Sequence, residues 1–236
     1  MSLDRFSHFR KTTAVVVDCT GHWCRSVVIL KLDPNNNDSL SFVERENYKR
    51  FYAEVFVGEE NIYGISRKKI IKFNSKDYSV SQIGRSFDKS HFRGGYHDFD
   101  GAVVAEDGYI YSANRYGQIL KINAVKNDWK IIGSKIHNGG NRGWGRPVIG
   151  DDRCIFFPPL CHDRVLKFNP STQKICLLGA SYGLQKHKWE GAVLASDGFI
   201  YCIPLDTDNI LRIDSRHVNE HVIEIIDKIN ELAFSG

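Results

Sequence analysis

The sequence of 236 residues has little of several features that mark particular classes of protein. It contains a single methionine, and its apolar runs are only a few residues long, too short for a helix that crosses a bilayer. The amino-terminal segment also lacks the apolar stretch of a secretory signal peptide. We therefore expect a soluble protein that does not enter a membrane, and the cytoplasm is the favoured compartment.

An excess of one charge is also missing. The chain has 32 lysines and arginines against 28 aspartates and glutamates, and the basic residues are scattered instead of forming a block. A nucleic-acid partner is therefore not expected. Cysteines are too few for a disulfide scaffold in a chain of this length, and we expect most of them to be buried, reduced thiols: Cys19, Cys24, Cys154, Cys161, Cys176 and Cys202.

What the sequence does contain is a five-fold repeat. A segment that averages Ile-Leu-Lys-Ile recurs, and successive copies lie between 41 and 49 residues apart. Each copy is followed at once by an aspartate or asparagine, which ends one strand and reverses the chain. The basic residues of the five copies are Lys31, Lys72, Lys121, Lys167 and Arg212.

A second signature precedes this segment, most clearly at residues 101–111 and 191–201. In both places an apolar run meets Asp-Gly and then an aromatic and β-branched run, the pattern of a hairpin whose glycine needs positive φ. With the repeated segment and a fourth apolar run, each repeat reads as four short strands. The sequence thus predicts an all-β fold, a five-bladed β-propeller with four antiparallel strands per blade. Residues 1–236 would form one domain, with repeats starting near 13, 53, 101, 146 and 191.

The segment 189–204, together with the repeated segment at 210–214, resembles known propeller repeats. It is similar to NHL repeats and to the gluconolactonase, SMP-30 and strictosidine-synthase-like group. In the gluconolactonase-like group, a glutamate beside a glycine at the start of an inner strand helps to hold a divalent cation. The resemblance therefore implies a Ca²⁺ or Mg²⁺ site at Glu190, with Asp100 at the aligned position.

The segments that lead into the first strand of each repeat carry the candidate binding residues. Alignment places an aromatic residue there at Phe51, Phe99, Trp144 and Trp189. Two positions earlier it places Lys49, His97, Arg142 and His187. Such basic groups at one end of a propeller would attract an anion, and the aromatic rings could stack on a sugar. The simpler alternative is that the rings pack in the core and the basic side chains are solvated.

Three other clusters contain residue types that are typical of chemical sites. Cys19 and Cys24 flank a histidine and could ligate zinc, Cys161 and His162 could form a nucleophile and its base, and residues 139–145 form a glycine-rich phosphate-loop candidate. The zinc spacing is unorthodox, adjacent side chains in an extended chain point apart, and no Lys and helix follow the glycines. A structural role is favoured for each.

These patterns together favour a noncatalytic binding module. Its partner would be an anionic small molecule, a glycan, or a protein that carries such groups, bound at one end of the central channel without a cofactor. Two alternatives stay open. One is a divalent-metal-dependent lactonase or esterase-like hydrolase, with the cation as a Lewis acid. The other is a protein interaction scaffold.

Overall fold

The computed structural model describes most of the repeat units and divides into two compact units, residues 1–82 and 83–236. Every regular element in the described residues is a β-strand. Among them, no helical segment has the length and apolar character needed to cross a bilayer. The described residues are 14–17, 27–33, 39–46, 54–57, 61–65, 69–74, 76–77, 79–87, 99–136, 143–185, 187–216 and 223–226.

The first unit contains two antiparallel sheets, each built from strands that are consecutive in the chain. The first sheet has three strands in the described residues, β1 Ala14–Val17, β2 Val27–Asp33 and β3 Ser39–Glu46. The second sheet has four, β4 Glu54–Val57, β5 Asn61–Ile65, β6 Ile70–Asn74 and β7 Val80–Ile83, the last of which ends at the unit boundary.

The second unit contains three four-stranded antiparallel sheets, again in chain order. The first comprises β8 Val103–Val104, β9 Ile110–Ala113, β10 Ile119–Asn123 and β11 Asp128–Ile132. The next comprises β12 Val148–Ile149, β13 Ile155–Phe157, β14 Val165–Asn169 and β15 Lys174–Leu178. The last comprises β16 Trp189–Leu194, β17 Phe199–Pro204, β18 Ile210–Asp214 and β19 Ile223–Ile226.

The predicted all-β propeller fold is confirmed, and each copy of the repeated segment forms a strand of its own sheet. In four sheets that strand is the third: β6, β10, β14 and β18. The first strands of these sheets begin within two residues of the predicted repeat starts. The first sheet differs, because β1 pairs directly with β2 and so takes the place of a second strand. Four strands per blade therefore hold for four sheets, and three are described in the first.

The turns after the first strands have the predicted geometry. Gly108 and Gly198 have φ values of 76° and 81°, and the amide of each donates to the carbonyl three residues earlier. Arg153 takes the corresponding place in the β12–β13 turn, with φ of 62°. A left-handed backbone is unfavourable for a residue with a Cβ, and the turn nevertheless closes through Arg153 N–H and Gly150 O.

In two sheets of the second unit, the basic residue of the repeated segment binds the aspartate of the preceding turn. Lys167 Nζ lies 2.7 Å from Asp152 Oδ2, with both side chains buried, and Lys121 Nζ lies 3.7 Å from Asp107 Oδ2, which is about one-third exposed. Asp107 also accepts a hydrogen bond from the Tyr111 hydroxyl at 2.6 Å. This contact ties the turn between the first two strands to the third strand.

Two apolar clusters lie between the sheets of the second unit. Alternate residues of β13 enter different clusters, because Ile155 and Phe157 pack toward β8–β11 whereas Phe156 packs toward β16–β19. On the far side of each interface lie residues such as Tyr111 in the first cluster and Leu211 in the second. A strand that buries both faces is typical of a sheet between two others.

We expect Lys167→Met to destabilise the protein by about 3–5 kcal/mol, because it leaves the Asp152 carboxylate buried without its cation. Lys121→Met is the matched control. Its partner Asp107 is partly solvated, so the expected loss is no more than about 1 kcal/mol. Urea unfolding of the full chain measures both changes.

The double variant Asp152→Asn with Lys167→Met separates a buried charge from lost packing. It removes both charges, so it should recover part of the stability that Lys167→Met loses. Equal losses for Lys167→Met and Lys121→Met would contradict the role assigned to burial.

Candidate ligand-binding site

The segments before β8, β12 and β16 meet at one end of the three sheets of the second unit. Arg146 N–H donates to Glu190 O at 2.6 Å, which joins the segment before β12 to β16. On the other side, a methyl group built on Gly101 would come within 3.3 Å of Arg146 Cα. Strands β12 and β16 also contact each other directly. The aligned residues of three repeats are therefore neighbours in space.

Arg146 is the residue at this end that the sequence analysis missed. The alignment places it at the position of Gly101 in the preceding repeat and Gly191 in the following one. Its side chain lies against the first of these glycines, since a methyl group on Gly101 would approach Arg146 Cγ to 3.0 Å. The sequence feature that could have identified Arg146 is its alignment with a glycine in each neighbouring repeat.

The Arg146 side chain is partly exposed, and its guanidinium lies beside a carboxylate. Its Nη2 is 3.9 Å from Glu190 Oε1, which is longer than a direct hydrogen bond. The two side chains are 38% and 36% exposed. A cation held near, but not enclosed by, its carboxylate can also interact with a dissolved anion.

The described aromatic residues of the predicted site are buried. Trp144 and Trp189 are each less than 5% exposed, and their indole N–H groups donate to Arg164 O and Asn209 O. Phe99 is also buried and lies beside Phe87. In this structure the three rings pack in the core, so they present almost no surface on which a sugar could stack.

Of the four predicted basic residues, the described one is His187. Its side chain is 41% exposed, and its Nδ1 lies 3.9 Å from Asp206 Oδ2. Lys49, His97 and Arg142 lie outside the described residues, as does Phe51. The ring of basic groups thus stays a prediction, and His187 lies two residues before the start of β16.

The proposed metal ligands Asp100 and Glu190 do not form a cation site by themselves. Asp100 is buried, and Glu190 has Arg146 as its charged neighbour. In the part of the chain that the structure describes, no group of three His, Cys, Asp or Glu side chains could hold a metal ion. A Ca²⁺ or Mg²⁺ site here would need further ligands.

The glycine-rich segment serves close packing at its described end. Gly143 O accepts hydrogen bonds from the amides of Cys161 and His162, and Gly145 N–H donates to Pro158 O. A Cβ on Gly145 would collide with Glu190 O. Gly145 therefore allows the segment before β12 to pack directly against β16. Cys19 and Cys24 lie outside the described residues.

The four described cysteines are free thiols with two kinds of surroundings. Cys154 and Cys202 are buried, whereas Cys161 and Cys176 are partly exposed. Burial raises the pKa of Cys154 to about 11 and also raises the pKa of Cys202. The expectation of buried, reduced thiols thus holds in full for two of the four.

Solved structures with the same fold include two lyases. Virginiamycin B lyase from Staphylococcus aureus has a TM-score of 0.65 and 12% identity, over 92% of this chain and 69% of that one. A streptogramin B lyase has a TM-score of 0.63 and 14% identity, over 92% and 69%. A functionally unknown protein from Desulfotomaculum acetoxidans has a TM-score of 0.59 and 14% identity, over 92% and 68%.

These likenesses confirm, at the level of the fold, the resemblance to propeller repeat proteins. The identities are too low to carry an activity from those proteins to this chain. No protein-family model and no curated protein sequence matches it.

We expect Cys161 and Cys176 to react with iodoacetamide in the folded protein at pH 8 well before Cys154 and Cys202. The thiolate is the reactive form, and both burial and a raised pKa suppress it at the two buried positions. Mass spectrometry of peptides after timed alkylation measures each site, with urea-unfolded protein as the control. Early labelling of Cys202 would contradict its placement in the core.

Proposed function

We propose that this protein is a noncatalytic binding propeller that recognises an anionic ligand beside Arg146. The observation that carries the proposal is the arginine at a position where both neighbouring repeats have glycine. Its side chain lies against Gly101, is 38% exposed and reaches to 3.9 Å from the Glu190 carboxylate. The glycine in the preceding repeat thus leaves room for the arginine side chain.

An anion suits the chemistry of this position. Guanidinium groups bind carboxylate, phosphate and sulfate oxygens through paired N–H donors. His187 lies three residues before Glu190 and is a predicted ligand-binding position near the same segment. Lys49, His97 and Arg142 precede the first strands of their repeats in the sequence and stay predicted ligand-binding positions.

A glycan receives less support than an anion. Sugar recognition by stacking needs an exposed aromatic face, and Phe99, Trp144 and Trp189 are buried in this structure. The ligand class that we propose is therefore a carboxylate, phosphate or sulfate group, carried by a small molecule or by a protein.

Two other functions also have observations in their favour. Solved structures of similar fold include lyases, and Glu190 beside Gly191 matches the cation-holding pattern implied by the resemblance. A metal-dependent hydrolase would use Asp100 and Glu190 with further ligands. Protein scaffolding is favoured by Val193 and Ile203, apolar side chains of β16 and β17 that are 51% and 55% exposed.

Calorimetric titration distinguishes the enzymatic alternative. Tight binding of Ca²⁺ or Mg²⁺ that is lost in Glu190→Gln, together with hydrolysis of a lactone or ester, would favour the hydrolase. Heat of sulfate binding without these activities favours the binding module.

We expect Arg146→Ala to weaken sulfate binding at least tenfold, because a hydrogen-bonded charged group contributes about 1.5–3 kcal/mol and about 1.4 kcal/mol corresponds to a tenfold change. Arg146→Lys should retain part of the affinity, since an ammonium keeps the charge but not the paired donors. Isothermal titration of the full chain with sodium sulfate at low ionic strength measures the change.

Arg153→Ala is the matched control. Arg153 is also an arginine paired with a glutamate, but its side chain is 70% exposed and it lies at the opposite end of the sheets, in the β12–β13 turn. Its replacement should leave sulfate affinity unchanged. His187→Ala and Arg142→Ala test whether the predicted basic positions contribute. Sulfate binding that is equal in the wild type and Arg146→Ala, or absent from the wild type, rejects the proposal.

A further inference from the structure

The loop after β13 holds the segment from which Arg146 extends. The amides of Cys161 and His162 donate to Gly143 O at 3.2 and 2.9 Å, and Gly145 N–H donates to Pro158 O at 2.8 Å. Three hydrogen bonds thus align the two segments. Because Arg146 follows Gly145 directly, the loop fixes the backbone on which the guanidinium depends.

Trp144 lies in the same segment and is held by this loop from two directions. Its ring stacks on His162, with the ring centroids 4.3 Å apart and an interplanar angle of 25°. Its indole N–H donates to Arg164 O at 2.9 Å. A movement of residues 162–164 would therefore move Trp144, which is two residues before Arg146.

His162 Nδ1 lies within reach of two groups that require different protonation states. It accepts the Arg164 amide N–H at 3.2 Å, which needs an unprotonated nitrogen. It also lies 3.0 Å from Asp163 Oδ1, a contact that becomes a hydrogen bond only when Nδ1 carries a proton. An unperturbed imidazole changes charge between about pH 5 and 8. One nitrogen cannot serve both partners at once.

The loop also has backbone hydrogen bonds to the segment before β16 and a charged neighbour, Lys188. Tyr182 N–H donates to Asp163 O, and Lys188 N–H donates to Leu160 O. The Lys188 ammonium donates to Gly183 O and Gln185 O. Burial lowers the pKa of Lys188, and Cys161 and Asp163 act in the opposite direction. The Arg164 guanidinium is also near this loop, with its Nε 3.9 Å from Asp163 Oδ2. Of the described charged groups named here, the Asp163 carboxylate is the one that favours an imidazolium at His162.

We propose that His162 is a positioning residue for the Arg146 site and that its protonation weakens anion binding there, an inference that rests on the function proposed above. In the neutral state, His162 holds the Arg164 amide and, through Arg164 O, the Trp144 indole. Protonation turns Nδ1–H toward Asp163 and removes the acceptor from the Arg164 amide. The Asp163 carboxylate balances the added charge, so the loss of positioning is the larger effect on a bound anion.

The first experiment follows tryptophan fluorescence of the ligand-free full chain from pH 5 to 8. The wild type should show a transition that is absent from both His162→Phe and Trp144→Phe. Phenylalanine keeps a ring against Trp144 but cannot titrate, so a purely structural role for His162 would not predict the loss. Asp163→Asn should shift the transition to lower pH, because it removes the anion that stabilises the imidazolium. A transition that persists unchanged in His162→Phe overturns the inference.

The second experiment measures sulfate affinity at pH 5.5 and 7.5, since sulfate keeps its charge over this range. The wild type should bind sulfate at least threefold more weakly at pH 5.5, whereas His162→Phe should bind it equally at both values. The comparison is repeated in a His97→Ala, His187→Ala background, because both histidines are predicted ligand-binding positions. Stronger binding at pH 5.5 that depends on His162, or equal pH dependence in the wild type and His162→Phe, overturns the inference.

The two experiments separate the inference from the function on which it rests. Sulfate binding that requires Arg146 but keeps its pH dependence in His162→Phe rejects the role of His162 alone. Absence of sulfate binding at every pH rejects the anion site and with it any pH dependence of binding. The fluorescence transition then still decides whether His162 controls the position of Trp144.

Discussion

In two sheets of the second unit, the contact between the basic residue of the third strand and the aspartate of the preceding turn is the constraint on which the rest of the sheet depends. Lys167 stands opposite Phe156 in the strand pairing, on the face that packs toward the next sheet. A cation on such a face is costly unless it is paired, and Asp152 supplies the partner. A slip of one residue between β13 and β14 would direct Lys167 to the other face, so the pair also sets the register of the two strands.

The same contact explains why the Asp-Gly turn and the repeated segment occur in the same repeats. The Asp-Gly turn needs its glycine for positive φ, and its aspartate is one half of an interaction whose other half lies in the repeated segment. Asp107 illustrates both links, because it accepts a hydrogen bond from Tyr111 and lies near Lys121. With the register set in this way, alternate residues of each strand reach the interfaces between sheets. The segments before the first strands can then meet at one end.

The strands and their order were predictable because their signals are local and repeated. Apolar alternation, asparagine turns and Asp-Gly turns act within a few residues, and five copies make the pattern unambiguous. The three-stranded description of the first sheet was less predictable, since its repeat departs most from the others. At the site, the alignment identified Trp144 and Trp189 as equivalent positions, but whether their rings are buried depends on neighbouring sheets, which the periodicity of the sequence does not show. Alignment of the repeats brings out residue types that the repeats share. Arg146 was not predicted because it differs from the glycines at the same position of the neighbouring repeats.

The close fit of Arg146 against Gly101 carries a consequence for how such a site can change among repeats. A Cβ on Gly101 would already crowd Arg146 Cγ, so a second long side chain there would compete for the same space. Gly191 is more open, because Arg146 Cβ is its nearest neighbour at 3.9 Å. The repeats are therefore not independent candidates for carrying a functional side chain. A long side chain at the Arg146 position excludes another at the same position of the preceding repeat but leaves space at that position of the following repeat. Neighbouring repeats therefore differ in what they can carry, depending on their order in the chain.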